Sequence, residues 1–236
     1  LAATALVNEL DQAMLNVVLA HAGDPSWEEV IQLAFAHENL PQKRYRLLVD
    51  AMLKAGHSLL AGRCAVDAGR RLPVPLREQI QNRLNEEMVE MTREPKRRFE
   101  AGQLLDTLGW LPPDLNQWFK CPGCADNRHD LWVMKYPVTN AHFSLFMAAG
   151  GYETPDFWGG PESAGWQWRL RNHADYRGSG PVTQPEYWQD TRFGKERRGF
   201  PVVGVSWYEA AAYTSWLTSL LQSDGPLPVA QQALVA

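Results

Sequence analysis

Residues 200–217 read FPVVGVSWYEAAAYTSWL, and the change of character along this stretch decides what the second half of the chain is. Val202 to Val205 is apolar and β-branched, which predicts a short buried strand. Gly204 within it marks a place where another piece of backbone comes close. Ser206 and Glu209 then stand at capping-box spacing, hydroxyl and carboxylate each satisfying an N–H at a helix start. From Trp207 to Leu221 the chain reads as a helix, with Trp207, Tyr208 and Trp216 expected to anchor a core.

A stretch of similar construction lies upstream, LWVMKYPVTNAHFSLFMAAGGY, Leu131 to Tyr152. Leu131 to Tyr136 alternates enough to be a strand, and Pro137 ends its pairing. Thr139 or Asn140 caps a helix carrying Phe143, Phe146 and Met147, and Gly150-Gly151 stops it. Nine of the ten tryptophans fall between Trp110 and Trp216, in sequence broken by Pro112-Pro113, Gly159-Gly160-Pro161 and Gly178-Ser179-Gly180-Pro181. Large aromatics bury much area per ordered residue, so this half reads as a compact, loop-rich α+β domain.

The first half has a different texture. Leu6, Leu10, Met14, Val17 and Val18 recur at helical spacing, and the helix they predict ends near Gly23. Ser26 and Glu29 are read as a capping box for a helix carrying Val30, Ile31 and Phe35. Pro41 opens a third helix with Tyr45, Leu48, Met52 and Leu53 on one face, and a fourth runs from Leu59 to Gly69. Two more follow, from about Leu76 to Thr92 and from Pro95 to Leu108. Short links between such helices suit an array of α-hairpins, without a convincing sequence period. The expected organisation is an α-helical domain over 1–110, a linker over 111–130 and an α+β domain over 131–236.

A net charge of −4 and a pI near 5.9 leave no electrostatic footprint for nucleic acid or an anionic membrane. No apolar run reaches the roughly 18 residues of a membrane helix, and no signal peptide is visible. Three cysteines are too few for a disulfide framework, which favours a reducing, cytoplasmic setting.

YPVTNAHFSLF, AGGY and PVVGVSWYEAAAYTSWL resemble the strand–helix opening and second helix of the sulfatase-modifying-factor family, the formylglycine-generating-enzyme-like domains. GWQWR and YWQD suit the tryptophan-rich connection of its bacterial members. The resemblance covers roughly residues 131–221. It implies a C-type-lectin-like fold, two helices flanking a small twisted antiparallel sheet. The helical half, less specifically, is similar to segments preceding this domain in multidomain bacterial signalling proteins. Family members continue after the second helix into further short strands, and catalytic ones carry a copper-binding cysteine pair there. Here Leu221 is followed by QSDGPLPVAQQALVA with no cysteine after Cys124. The domain is therefore expected to be incomplete at its C-terminus and of low stability, and no residue inherits the family's catalytic role.

Other chemistry is weighed residue by residue. Cys121-Pro122-Gly123-Cys124 has a structural, a metal half-site and a redox reading. The structural one is preferred: the flanks are loop-like, and only Cys64, His129 and Asp126 could complete a zinc set. The family also includes iron-dependent sulfoxide synthases, whose preceding helical bundle presents a His-x-x-x-His-type ligand set. His21, His37, His57, His129, His142 and His173 include no pair at i, i+3 or i+4. Asp175 and Asp190 lack the oxygen-rich spacing of a calcium loop, so copper or calcium enters by family resemblance alone. Trp158, Trp166, Trp168, Arg169, Tyr187 and Trp188 are the candidate ligand-binding residues, with core packing as the competing role. Arg169, Arg171, Arg192, Lys195, Arg197 and Arg198 make the same region locally basic, for solvent or for an acidic partner.

Two functions follow. The first is a binding or sensing module, for a protein or small-molecule ligand; diversity-generating-retroelement variable proteins use this domain type for display. The alternative is a formylglycine-generating oxidase or related metal-dependent oxygenase whose catalytic region lies outside this sequence.

Overall fold

The computed structural model describes residues 1–9, 11–122, 131–171, 180–222 and 232, and divides into two compact units, Leu1–Trp110 and Leu111–Ala236. The first unit is helical throughout its described elements. In order these are α1 (Ala2–Asn8), α2 (Asp11–His21), α3 (Pro25–Phe35), α4 (Gln42–Lys54), α5 (Ser58–Ala68), α6 (Val74–Val89) and α7 (Pro95–Thr107). One apolar core joins them, from Met14 and Val18 through Phe35, Tyr45 and Met52 to Ile80, Leu84 and Leu105. At Gly62 an added Cβ would lie 2.9 Å from a Leu104 methyl and 3.1 Å from one of Leu84, so both leucines pack closely on α5 there.

Two local expectations in this unit are corrected. The first helical stripe breaks at Glu9, whose backbone is extended. Arg44 explains the break: its guanidinium donates hydrogen bonds to the Val7 and Glu9 carbonyls and to Asp11, satisfying the exposed end of α1. The cap of α3 is Asp24, which accepts from the Ser26 N–H at 2.9 Å, with Pro25 in the first turn. A carboxylate is the better acceptor and Pro25 lacks an N–H, so Ser26 lies inside the helix.

The second unit contains β1 (Trp118–Cys121), β2 (Leu131–Met134), α8 (Asn140–Ala148), a 3-10 turn Pro155–Trp158, α9 (Ala164–Leu170) and α10 (Trp207–Leu221). β1 and β2 pair antiparallel, Trp118 opposite Met134 and Cys121 opposite Leu131. The expected linker therefore contributes a strand. Nearer its start, Asp114 receives the Tyr136 hydroxyl and the Lys135 ammonium, anchoring the segment by polar contacts that a hydrophobicity pattern does not show.

The two patterned stretches meet. The Asn140 N–H donates to the Phe200 carbonyl at 2.9 Å, Ala141 to Arg198 at 3.0 Å and Val202 to Val138 at 3.0 Å. The Asn140 side-chain amide reaches the Phe193, Gly194 and Arg197 carbonyls at 2.7–3.0 Å, folding that loop against α8. Behind these bonds, Phe143 stacks on Tyr213 at 5.5 Å and Phe146 meets Trp216 at 5.7 Å. The strand expected over Val202–Val205 is reduced to one bridge, Thr139 to Pro201. Gly204 turns the chain at φ +70°, Val203 is 38% exposed, and the other two valines are half-buried.

Ser206 and Glu209 form the capping box expected of them, and Thr139 forms another with His142. The core stripe of α10 is Glu209, Ala212, Tyr213, Trp216 and Leu217. Trp207 lies two residues off that stripe and is 77% exposed, so it does not anchor the core as expected. Taken whole, the chain is α+β, a helical region followed by a helix-rich unit with a two-stranded ribbon.

Candidate functional site

The site is built on α9. Ser163 caps this helix, accepting from the Trp166 N–H at 3.1 Å while its hydroxyl donates to the Trp158 carbonyl at 2.6 Å. Trp158 is itself fixed, its indole N–H donating to the Gly151 carbonyl at 2.8 Å. A Cβ at Gly165 would stand 3.0 Å from the Trp158 carbonyl and 3.3 Å from the Tyr208 ring, so α9 is seated closely on both. One helical turn then presents Trp166, Trp168 and Arg169.

The rings form a graded series from core to solvent. Trp158 is buried and lies 6.4 Å from both Trp166 and Trp168. Trp168 lies 5.5 Å from Tyr208, and Tyr208 lies 5.3 Å from the exposed Trp207. Trp166, Trp168 and Tyr208 are half-buried. A run of large aromatics that continues to the surface offers flat apolar area at small conformational cost. Next to it, the Val182 N–H donates to the Arg169 carbonyl at 2.8 Å, and residues 180–186 line a cavity of ≈ 130 Å³.

Arg169 is the charged member. It is 8% exposed, its guanidinium lies 4.5 Å from the Trp166 ring centre, and its Nε has no hydrogen-bond partner. Burial pushes its pKa below the usual value, while the Glu153 carboxylate and Tyr152 act in the other direction.

Of the six candidate residues, Trp158, Trp166, Trp168 and Arg169 come together. Tyr187 and Trp188 make their ring contacts elsewhere, Tyr187 with Phe193 at 6.4 Å and Trp188 with Phe143 at 6.4 Å, the latter buried in the core. Trp207, expected in the core, is exposed instead, whereas Tyr208 is half-buried and packs against the core. The signal was available: counting from the Ser206 cap, the buried stripe begins at Glu209 and leaves Trp207 outside.

The metal candidates lie partly within and partly outside the described residues. Cys121 is exposed at the end of β1, and Cys124, Asp126, His129, His173 and Asp175 lie outside the described residues. Cys64 is buried, with its thiol pKa pushed far up by desolvation, so it is held as a neutral thiol. Both ring nitrogens of His142 are engaged, by the Thr139 N–H at 3.1 Å and by Asn116 Oδ1 at 2.9 Å. Asp190 is held by Arg192 at 2.8 Å, which also neutralises part of the local basic charge. Among the described residues no three His, Cys, Asp or Glu side chains group to hold a metal ion.

The family model of the sulfatase-modifying factor enzyme 1-like domain matches residues 100–231. The chain belongs to this family. Within it, similarity extends to the hercynine oxygenase of Mycolicibacterium thermoresistibile, 32% identical over 99 residues, which is 39% of this chain and 20% of the relative. The hercynine oxygenase of Mycobacterium tuberculosis is 32% identical over 100 residues, 39% of this chain and 21% of the relative. The match thus spans about a fifth of the length of these curated relatives of the sulfatase-modifying-factor domain. No solved structure matches the chain significantly.

Proposed function

We propose that the chain is a ligand-binding module of the sulfatase-modifying-factor family, on the C-type-lectin-like frame that the family resemblance implies. Its ligand is a small molecule with a flat or apolar body. The observation that supports this is the aromatic series Trp158–Trp168–Tyr208–Trp207, which starts in the core and ends at a tryptophan that is 77% exposed. Trp166 and Arg169 flank it on α9. Exposed aromatics grouped in this way mark recognition surfaces more often than scattered ones do. The test is a screen of small aromatic fragments against the full chain, read by tryptophan fluorescence and thermal shift. Binding should occur and weaken at least tenfold in Trp168→Ala. A chain that binds no fragment, or a variant that binds them equally well, removes the reading.

The mycobacterial relatives favour a second reading, in which this domain serves an oxygenase acting on hercynine, as those relatives are named. Oxygen uptake that depends on added hercynine would support it over the binding module.

A further inference from the structure

Three partly buried arginines of this protein are matched to carboxylates. Arg63, partly buried, is ion-paired to both Glu28 and Glu100. Arg97 binds Glu87 at 2.8 Å and also reaches the Ser58 hydroxyl. Arg44 binds Asp11 and two carbonyls. Arg169 is more buried than any of these, and among the described residues its guanidinium has no hydrogen bond or ion pair. The Glu153 carboxylate, which acts on it through space, is exposed and not bonded to it, and the Tyr152 hydroxyl is already given to Glu209.

A buried cation without a partner is a costly arrangement, because desolvation is uncompensated by any nearby anion. The Trp166 ring offsets part of that cost through its negative face. It covers one flat side of the guanidinium, however, and leaves the in-plane N–H donors unused. Those donors form a rigid fork that matches a carboxylate in two parallel bonds. Trp158, from the preceding 3-10 turn, lies 6.4 Å from both Trp166 and Trp168, and these rings supply apolar walls.

We infer that Arg169 is the receptor for a carboxylate carried by an aryl or similarly flat ligand, whose body lies along the α9 aromatics. The inference rests on the binding-module reading and adds the charge and head group of the ligand. The acid supplies the partner that no described residue gives the Arg169 guanidinium, and a neutral analogue of equal shape does not.

The experiment titrates phenylacetate and its neutral isostere phenylacetamide into the full chain, followed by tryptophan fluorescence. It is repeated on Arg169→Met and Arg169→Lys, with a thermal melt of each. Phenylacetate is expected to bind at least tenfold more tightly than the amide. Arg169→Met should erase that preference and melt at or above the parent temperature, since it removes an unpaired buried charge. Arg169→Lys should keep part of the preference. Equal affinity for acid and amide would overturn the carboxylate receptor while leaving the binding module intact. Binding of neither, with other fragments still bound, would do the same. A melt of Arg169→Met well below the parent would show the guanidinium paired within the chain and overturn the inference by a separate route.

Discussion

The Tyr152 hydroxyl donates to Glu209 Oε1 at 2.6 Å, while the other Glu209 oxygen accepts from the Ser206 N–H at 2.8 Å. Glu209 is fully buried, so one carboxylate both starts α10 and ties it to the end of the upstream patterned stretch. Tyr213 makes the opposite case. Its hydroxyl is buried with no hydrogen-bond partner, and burial pushes its pKa far up. Tyr152→Phe should lower unfolding free energy by about 1–3 kcal/mol, because it leaves a buried carboxylate oxygen under-satisfied. Tyr213→Phe keeps the ring and removes an unmet donor, so it should be neutral or stabilising by about 1 kcal/mol. Urea unfolding of the two variants checks both signs.

His142 sets a pH dependence. Nδ1 accepts from the Thr139 N–H, so the ring is neutral with its proton on Nε2, facing Asn116. Burial holds its pKa below the ordinary 6.5. A depressed histidine favours the neutral fold, so this contribution is complete above about pH 6.5 and is lost as pH falls from there towards the folded value. Protonation would also place a hydrogen on Nδ1 against the Thr139 donor and open the cap of α8. Melting temperature should fall on acidification below about pH 6.5, and His142→Gln should show a smaller fall; an equal fall in the variant would assign the effect elsewhere.

Gly204 supports the loop that Tyr187 occupies. A Cβ there would lie 2.8 Å from both Glu186 Cβ and the Tyr187 ring, at a φ of +70°. Gly204→Ala should therefore cost about 2 kcal/mol or more, combining strain with displacement. Calorimetry on this single variant measures it.

Trp216 and Trp207 sit on one helix with opposite roles. Trp216 is 2% exposed and contacts Phe146 and Tyr213. Trp216→Ala should cost about 3–5 kcal/mol by cavity formation. Trp207→Ala should change stability by less than about 0.5 kcal/mol, while weakening fragment binding.

These contrasts show what the sequence makes legible. Capping boxes are short-range chemistry at fixed spacing, so Ser206 and Glu209 could be read directly, and α10 begins and ends where its residues predict. Thr139 could be read as a cap too, but its reciprocal partner is His142 rather than a glutamate. The run Val202–Val205 misleads because β-branched residues mark packing surfaces as well as strands, and Gly204 breaks any ladder. Glu9 and Asp114 were opaque for another reason: their roles depend on Arg44 and on Tyr136 with Lys135, partners distant in sequence. The site was half legible. Tryptophans near residue 166 draw attention by type, yet only three-dimensional pairing separates the α9 group from Trp188, which is core. That no described residue pairs with the Arg169 guanidinium is a statement about absent neighbours, which no sequence pattern carries.

The most direct measurement is the indole N–H spectrum of the ¹⁵N-tryptophan-labelled full chain, assigned by single Trp→Phe variants and titrated with phenylacetate. The account predicts saturable shifts at Trp166 and Trp168, with Trp216 unmoved. Signals of Trp166 and Trp168 that stay fixed, or shifts spread equally over Trp216, would contradict it.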